Sequence, residues 1–453
     1  MVALAASVTV LAVSAGLARA AAPQLVQEDL VTSKASSVPS ANAWGANADR
    51  LVRARNGDLY TTYVARGSDS EHFRWVLAKR AAGGTRWKVV ASGLTAHEPG
   101  NPPGVLISRS GTVFVVTISP WNSAGAGAPE IWDSASKRQT VVHGHWLTGK
   151  AILVAGSLYP SASIDSRGDI FIWENVLCPD FRYLNGRRIH CKGVDVPGTV
   201  YWAYRRAGTR VWHAEEWVSP YRYAYDFLLP QGPSDLRVVG TRDILEAPFE
   251  APYPCPETRH YCFDQSVQAQ WTNLNRPPTS LIVARAATTA PSYHGDHRVS
   301  AEDAYVDTMG RTHILASVSD ASTHGNYESD QFVISPSGAV QDVAYGSVPY
   351  PNLSRIVQDA TGRFWIYSVG PNISNHHRCD VFIAAALPGD TDGTTLGPAT
   401  VIPLASRYDC STETRNYDVS TRSGTELANY IDGVVATNGG ADWLHYRIAL
   451  PVS

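Results

Sequence analysis

The chain has little charge of either sign. Its 453 residues hold 38 Lys and Arg against 41 Asp and Glu, for a net charge of -3, and charged residues make up 17% of the whole. A nucleic-acid partner would call for a basic patch and a high isoelectric point, so that class is set aside. An apolar run long enough to span a bilayer is also missing. The apolar stretch "MVALAASVTVLAVSAGLARAAAP" is short for a span, so no membrane partner is expected. The six cysteines include no C-x-x-C pair, which argues against a zinc ribbon. Met is scarce, with two residues, and no amphipathic helix is legible.

What is abundant points to strands. There are 13 Trp, 21 Tyr, 36 Gly and 28 Pro, a turn-rich composition with many aromatics. Hydrophobic residues at 44% allow a sizeable core. The opening apolar run ends in Ala18-Arg19-Ala20 and reads as a signal peptide over 1–20, which predicts a secreted, extracellular protein. Export suits structural disulfides. Pairing sequence neighbours gives Cys178 with Cys191, Cys255 with Cys262, and Cys379 with Cys410.

One figure recurs: "RNGDLYTTYV", "SRSGTVFVVTI", "DSRGDIFIWEN", "DTMGRTHILAS" and "DATGRFWIYSV". Each sets a glycine in a polar turn, where positive φ is tolerated, and follows it with β-branched or aromatic residues. The glycines stand at 57, 111, 168, 310 and 362, with close spacings of 54, 57 and 52. A weaker unit is expected around Gly240 and a last one in 411–451. Second hairpins follow at 75–90, 200–218 and 331–345. Four antiparallel strands per unit predict an all-β, seven-bladed β-propeller that fills 21–453 as one domain, expected to be a monomer. "DWLHYRIALP" should share a sheet with a strand from about 24–33 and so close the ring.

In such a fold the glycine turns mark one face, and the loops from second to third strands lie on the other. All six cysteines fall on that other side, together with His72, His97, His190, His260, His324, His376 and His377. Long braced loops are where function concentrates. Residues just before each first strand face the funnel: Trp44, His97, Tyr159, Tyr225 or Asp226, Glu302 or Asp303, and Tyr350 with Asn352. A His and several Tyr about one axis offer acid–base chemistry.

The glycine turns resemble the Asp-box of BNR-repeat propellers, in which the box is structural. The stretch "LYTTYVARGSDSEHFRWVLAKRAAGGTRW...LTAHEPGNPPGVLISRSGTVFVV" followed by "LYPSASIDSRGDIFIWEN" resembles secreted propellers of the ulvan-lyase and rhamnose–glucuronate-lyase type. The resemblance implies a polysaccharide lyase acting by β-elimination on a uronic-acid-containing glycan, with a polysaccharide or oligosaccharide as its partner. It implies His97 and Tyr159 as the catalytic pair. The family's arginine stands where this chain has Glu174 and Asn175, and its second His where this chain has "SPWN". The carboxylate-neutralising cation is therefore expected from Arg182, Arg187, Arg188 or Arg222. Trp121, Asn175 and Tyr225 complete the expected substrate contacts.

Two other readings use the same fold: a propeller glycosidase of rhamnosidase or sialidase type, and a glycan-binding propeller without catalysis. No cofactor is required. "GDTDGTTLG" (389–397) resembles part of a calcium loop but lacks the closing Glu, so it reads as a surface turn, with a structural calcium the one ion it leaves open.

Overall fold

The structure, a computed structural model, describes residues 22–451 apart from 38–41, 43–44, 46, 67–72, 96–102, 119–127, 144–160, 177–181, 185–186, 190–197, 220–222, 233–234, 246–260, 272–273, 275–278, 286–297, 320–327, 346–353, 373, 376, 406 and 411–415. The described chain is a β-propeller.

The strand order corrects the expectation of seven repeated units. Six blades are each made of four antiparallel strands taken in chain order from one stretch: blade 1 from 51–95, blade 2 from 104–141, blade 3 from 161–219, blade 4 from 223–285, blade 5 from 298–344 and blade 6 from 355–403. The stretch 411–451 supplies no further blade of its own. Its three strands, Asn416–Asp418, Tyr430–Thr437 and Asp442–Ala449, take Gln24–Thr32 from the other end of the chain as a fourth. This composite sheet closes the ring. The physical reason is that a ring of separate units would leave two sheet edges unpaired, and interleaving the chain ends hides both.

A second correction concerns Gly240. It lies inside a strand, paired with Val267, and is not a turn. Blade 4 turns earlier, where the Gln231 amide donates to the Asp235 carbonyl at 2.8 Å. The other five glycines do sit in turns between first and second strands, all at positive φ. In blade 3 the Asp165 carboxylate accepts from the amides of Arg167 and Asp169, both at 2.9 Å. Asp307 and Asp359 do the same two blades and three blades on. One carboxylate oxygen of each aspartate is held by the amides of its own turn, so the box is scaffolding.

An apolar cluster lies between each pair of neighbouring sheets. Leu51, Val76 and Leu59 meet Val434 and Trp443 of the closing sheet, and on its other side Leu444 and Tyr446 meet Trp365 and Val381 of blade 6. Trp75, Trp173, Trp365 and Trp443 are among the largest fully buried side chains. The aromatics abundant in the sequence therefore wedge the blades apart at the angles that a ring requires.

The closing sheet is also tied by charge. Asp432 is fully buried and accepts from Arg447 Nε at 2.6 Å, from His445 Nε2 at 3.1 Å and from Arg53 Nη1 of blade 1 at 2.8 Å. A disulfide joins Cys379 to Cys410, which agrees with the expected pairing and links blade 6 to the approach of the closing sheet. The expected pairings of Cys178 with Cys191 and Cys255 with Cys262 involve Cys178, Cys191 and Cys255, which lie outside the described residues.

Candidate functional site at the propeller axis

The innermost strands run along the axis, and several of them bring a polar side chain to it. Asp49 precedes blade 1, Asp303 lies in the first strand of blade 5, Arg355 opens blade 6, and Asp418 ends the inner strand of the closing sheet. All four are buried. Buried charges must be paired, and the partner comes from an unusual place.

In the closing sheet the link from first to second strand is no tight turn. It runs through 419–429 and carries a short 3-10 turn, Thr421–Ser423. Arg422 reaches from it into the axis. Its Nη1 donates to Asp303 Oδ1 and to the Ala304 carbonyl, both at 2.8 Å, and its Nη2 lies 2.9 Å from Asp49 Oδ1. Its guanidinium carbon stands 5.0 Å above the Phe227 ring of blade 4. Gly424 then turns the chain with φ 89°, against blade 2, where a Cβ would come within 1.8 Å of the Ile107 carbonyl oxygen. The Arg53 amide and guanidinium fasten the next residues, donating to Thr425 Oγ1 at 3.1 Å and to the Glu426 carbonyl at 2.7 Å. The link therefore plugs the axis at the glycine-turn end.

The electrostatics suit a plug. Asp49, Asp303 and Asp418 face Arg422 and Arg355, three carboxyls against two guanidiniums. Burial and the neighbouring charge of Asp303 push the Asp418 carboxyl up to about 7, against the pull of Arg355 and Arg422. Burial likewise raises Asp49. Burial works against the Arg422 charge, but Asp49, Asp303 and Asp418 outweigh it and hold the guanidinium protonated. The cluster is a buried, hydrogen-bonded floor at the glycine-turn end, away from the opposite end of the axis.

That opposite end receives the second-to-third-strand loops, as the strand order requires. Among the residues expected for catalysis and substrate contact, Tyr225 is the one whose side chain is described. It is half-buried on the first strand of blade 4, at a bulge between Ala224 and Phe227, with φ 55°. A bulky residue in this region is an outlier that its surroundings must hold in place. The next residue is that hold: the Asp226 carboxylate accepts from Trp173 Nε1 at 2.7 Å, and its carbonyl accepts from Ser161 Oγ. Ser161 opens the first strand of blade 3 and accepts in turn from Asn47 Nδ2 at 2.5 Å.

His97, Tyr159, Trp121 and Arg222 lie outside the described residues, as do Trp44, Tyr350 and Asn352. Arg182, Arg187 and Arg188 fall on a two-stranded hairpin, Arg182–Leu184 with Arg187–Ile189, inserted between the second and third strands of blade 3. Its register sets Arg182 opposite Ile189 and Arg188 opposite Tyr183. Asn175 pairs with Val200 in the blade 3 sheet. Glu302 and Asp303 are both buried, and Glu302 accepts from Ser317 Oγ at 3.0 Å. His377 is exposed and 3.3 Å from Asp409. In "GDTDGTTLG" the Asp390 carboxylate accepts from the amides of Asp392, Gly393 and Thr395, at 3.1, 2.9 and 2.5 Å, so it closes its own loop.

Sequence reasoning missed Asp49, Arg355, Asp418 and Arg422. Asp49 and Arg355 could have been found by counting back from the glycines, because they stand 8 and 7 positions before Gly57 and Gly362. Arg422 carried no such signal, since its link departs from the repeat.

No protein-family model matches the chain, and no curated protein matches it in sequence. Solved structures do. The polysaccharide lyase Uly1 superposes with a TM-score of 0.55 and 13% identity, over 95% of this chain and 100% of that one. An α-L-arabinofuranosidase from Fusarium graminearum, solved with an iminosugar inhibitor, has a TM-score of 0.42 and 12% identity, over 84% and 98%. A neuraminidase-like protein of subtype N11 from a flat-faced bat virus has 0.38 and 10%, over 96% and 98%. At these identities the likeness is one of fold.

Proposed function

We propose that the protein is a carbohydrate-active enzyme, a polysaccharide lyase that cleaves a uronic-acid-containing glycan of rhamnose/glucuronate type by β-elimination. The observation that carries the proposal is the Arg422 plug. With the glycine-turn end of the axis filled, the working end is the one reached by the segments that enter the first strands, and His97 and Tyr159 precede two consecutive ones, at Gly104 and Ser161. The superposition with a polysaccharide lyase over the whole of that chain supports the same reading.

The chemistry assigns the roles. The C5 proton of a 4-linked uronate is weakly acidic, and its loss becomes feasible once the neighbouring carboxylate is neutralised. A guanidinium from Arg182, Arg187, Arg188 or Arg222 supplies that charge, with His97 binding the carboxylate or sharing the proton transfer. Tyr159 takes the C5 proton or delivers one to the departing O4, its phenol pKa lowered by the same cation. The C4–O4 bond breaks, a C4=C5 double bond forms, and the leaving sugar departs with a proton on O4. Trp121, Asn175 and Tyr225 line the sugar path in this reading. It also places the chain from about residue 21 outside the cell as a monomer, with Cys178–Cys191 and Cys255–Cys262 joined.

The test is incubation of the protein with uronate-containing polysaccharides while the ultraviolet absorbance of the unsaturated uronate is followed. Rising absorbance supports elimination. New reducing ends without absorbance replace it with the glycosidase reading, and retention of the glycan without cleavage replaces it with the binding reading.

A further inference from the structure

The glycine-turn end, closed to the axis, still carries a cleft of its own. Beside the plug, between the turns of blades 1 and 2, lies a hollow of about 180 Å³ lined by Arg53, Arg55, Ser108, Arg109, Glu426 and Tyr430 among others. Pockets for drug-sized ligands run to about 300–1,000 Å³, so this one is scaled to a single sugar ring. Its chemistry is lopsided. Three arginines line it, and Glu426 is the one carboxylate among its lining residues.

The arginines differ in what holds them. Arg53 is spent below the cleft, its Nη1 donating to Asp432 at 2.8 Å and its guanidinium stacked 4.6 Å from the Tyr430 ring centre. Arg447 lies 4.2 Å from the same centre. Together they make a rigid floor. Arg109 is exposed at the rim and has no ion-pair partner among the described residues. Arg55 is held only by Glu426, through Nε at 2.9 Å and Nη2 at 2.6 Å to the same oxygen. Both side chains of that pair are more than half exposed, at 56% and 61%. An exposed pair of this kind is weak and readily exchanged for another carboxylate. Arginine forks match carboxylates in two-point geometry.

We propose that this cleft is a second glycan site, which binds a carboxylate-bearing sugar residue of an acidic polysaccharide through Arg55 and Arg109, with the Glu426 carboxylate as its intramolecular competitor. The choice of a sugar carboxylate over a bare anion rests on the proposed function; the anion-binding chemistry does not. Placed on the face away from the working end, the site would hold a long acidic chain near the enzyme without occupying the mouth.

The test uses the full chain in native gels cast with a polyglucuronate or with a neutral glucan, the neutral gel serving as the mobility reference for each variant. The expected result is retardation of the parent by the polyglucuronate, a loss of at least about threefold in apparent affinity in the Arg55→Ala/Arg109→Ala double variant, and a gain in Glu426→Gln, in which the competitor is removed. A merely structural role for Glu426 would not strengthen binding. Unchanged retardation in the double variant, or weakened retardation in Glu426→Gln, overturns the site. Displacement by inorganic phosphate as effective as by free glucuronate overturns the assignment to a sugar. Retardation and elimination are read in separate experiments, so the outcomes separate: a parent that eliminates nothing yet is retarded through Arg109 sinks the lyase reading and keeps this site. Elimination with no Arg109-dependent retardation does the reverse.

Discussion

Arg422 donates to Asp303 at 2.8 Å across the axis, from a residue 119 positions away in the chain. The contact joins the closing sheet to blade 5, which are not neighbours in the ring. It therefore acts as a hub, and both partners are buried, with side-chain exposures of 6% and 2%. Removing Arg422 takes the ion-pair partner from buried Asp49 and leaves Asp303 facing Arg355 at 3.9 Å. Arg422→Ala is expected to cost about 3–5 kcal/mol, read as a lowered urea midpoint. A variant as stable as the parent would mean that the plug is not part of the cooperative fold.

Gly424 tests the same plug through the backbone. Alanine there meets two costs, the left-handed conformation and an approach of 1.8 Å to the Ile107 carbonyl oxygen, a backbone atom that cannot swing aside. The strain of φ alone is about 1–2 kcal/mol. Gly424→Ala should lose more than that in equilibrium unfolding, whereas Gly439→Ala, at φ 66° with nothing near its Cβ, should lose only the backbone part.

Two buried carboxyls should give opposite pH signatures. Burial alone would raise Asp432, but the His445 hydrogen bond and Arg447 outweigh it and hold the carboxyl well below the usual range. A folded value below the unfolded one, about 3.9, contributes stability that is present above that pH and lost as pH falls through it toward the folded value. Melting temperature in the parent should therefore drop steeply under about pH 4. Asp432→Asn should flatten that limb and lower stability at neutral pH by about 3–5 kcal/mol, because Arg53 and Arg447 lose their partner.

Asp418 runs the other way. Burial and Asp303 raise its carboxyl to about 7. In the window from about 4 up to that value, the folded state keeps a proton that the unfolded chain has lost. Its contribution is thus complete at low pH and declines as pH rises through the window. Asp418→Asn keeps the neutral shape at every pH, so the variant should gain on the parent from about pH 4 up to about 7 and hold that gain above it. No relative gain in a pH series of melting curves would show that Asp418 is ionised in the folded state at neutral pH.

The repeat was readable because a turn is a local event. Asp165, Gly168 and Asp169 meet within five residues, and their geometry needs only each other. Where a blade turns differently, local reading failed: Gly240 looked like a turn glycine, yet blade 4 turns at Gln231–Asp235 and Gly240 is mid-strand. The closing sheet was legible in outline, since "DWLHYRIALP" had to find a strand near 24–33, and it pairs with Gln24–Thr32. Its count as one more repeated unit was not, because 411–451 carries three strands and a long link in place of a turn. Arg422 was hidden for the same reason. Its partners, Asp49 and Asp303, are set by the ring and not by spacing along the chain.

The catalytic assignment makes the sharpest demand. If Tyr159 moves the proton, Tyr159→Phe removes only a hydroxyl. It should then lower kcat by about 10²–10⁴-fold, the usual share of a general acid or base, with the melting temperature unchanged. If His97 chiefly holds the uronate carboxylate, His97→Ala should raise KM as well as lower kcat, because it loses a contact made in both the ground and the transition state. The two effects differ in kind, so steady-state kinetics on one cleaved polysaccharide separate them. Near-parent turnover in both variants would move the chemistry away from the segments that enter blades 2 and 3. Arg182, Arg187 and Arg188 would then lose the reason for their assignment, since a carboxylate clamp is useful only beside the base that attacks the neighbouring carbon.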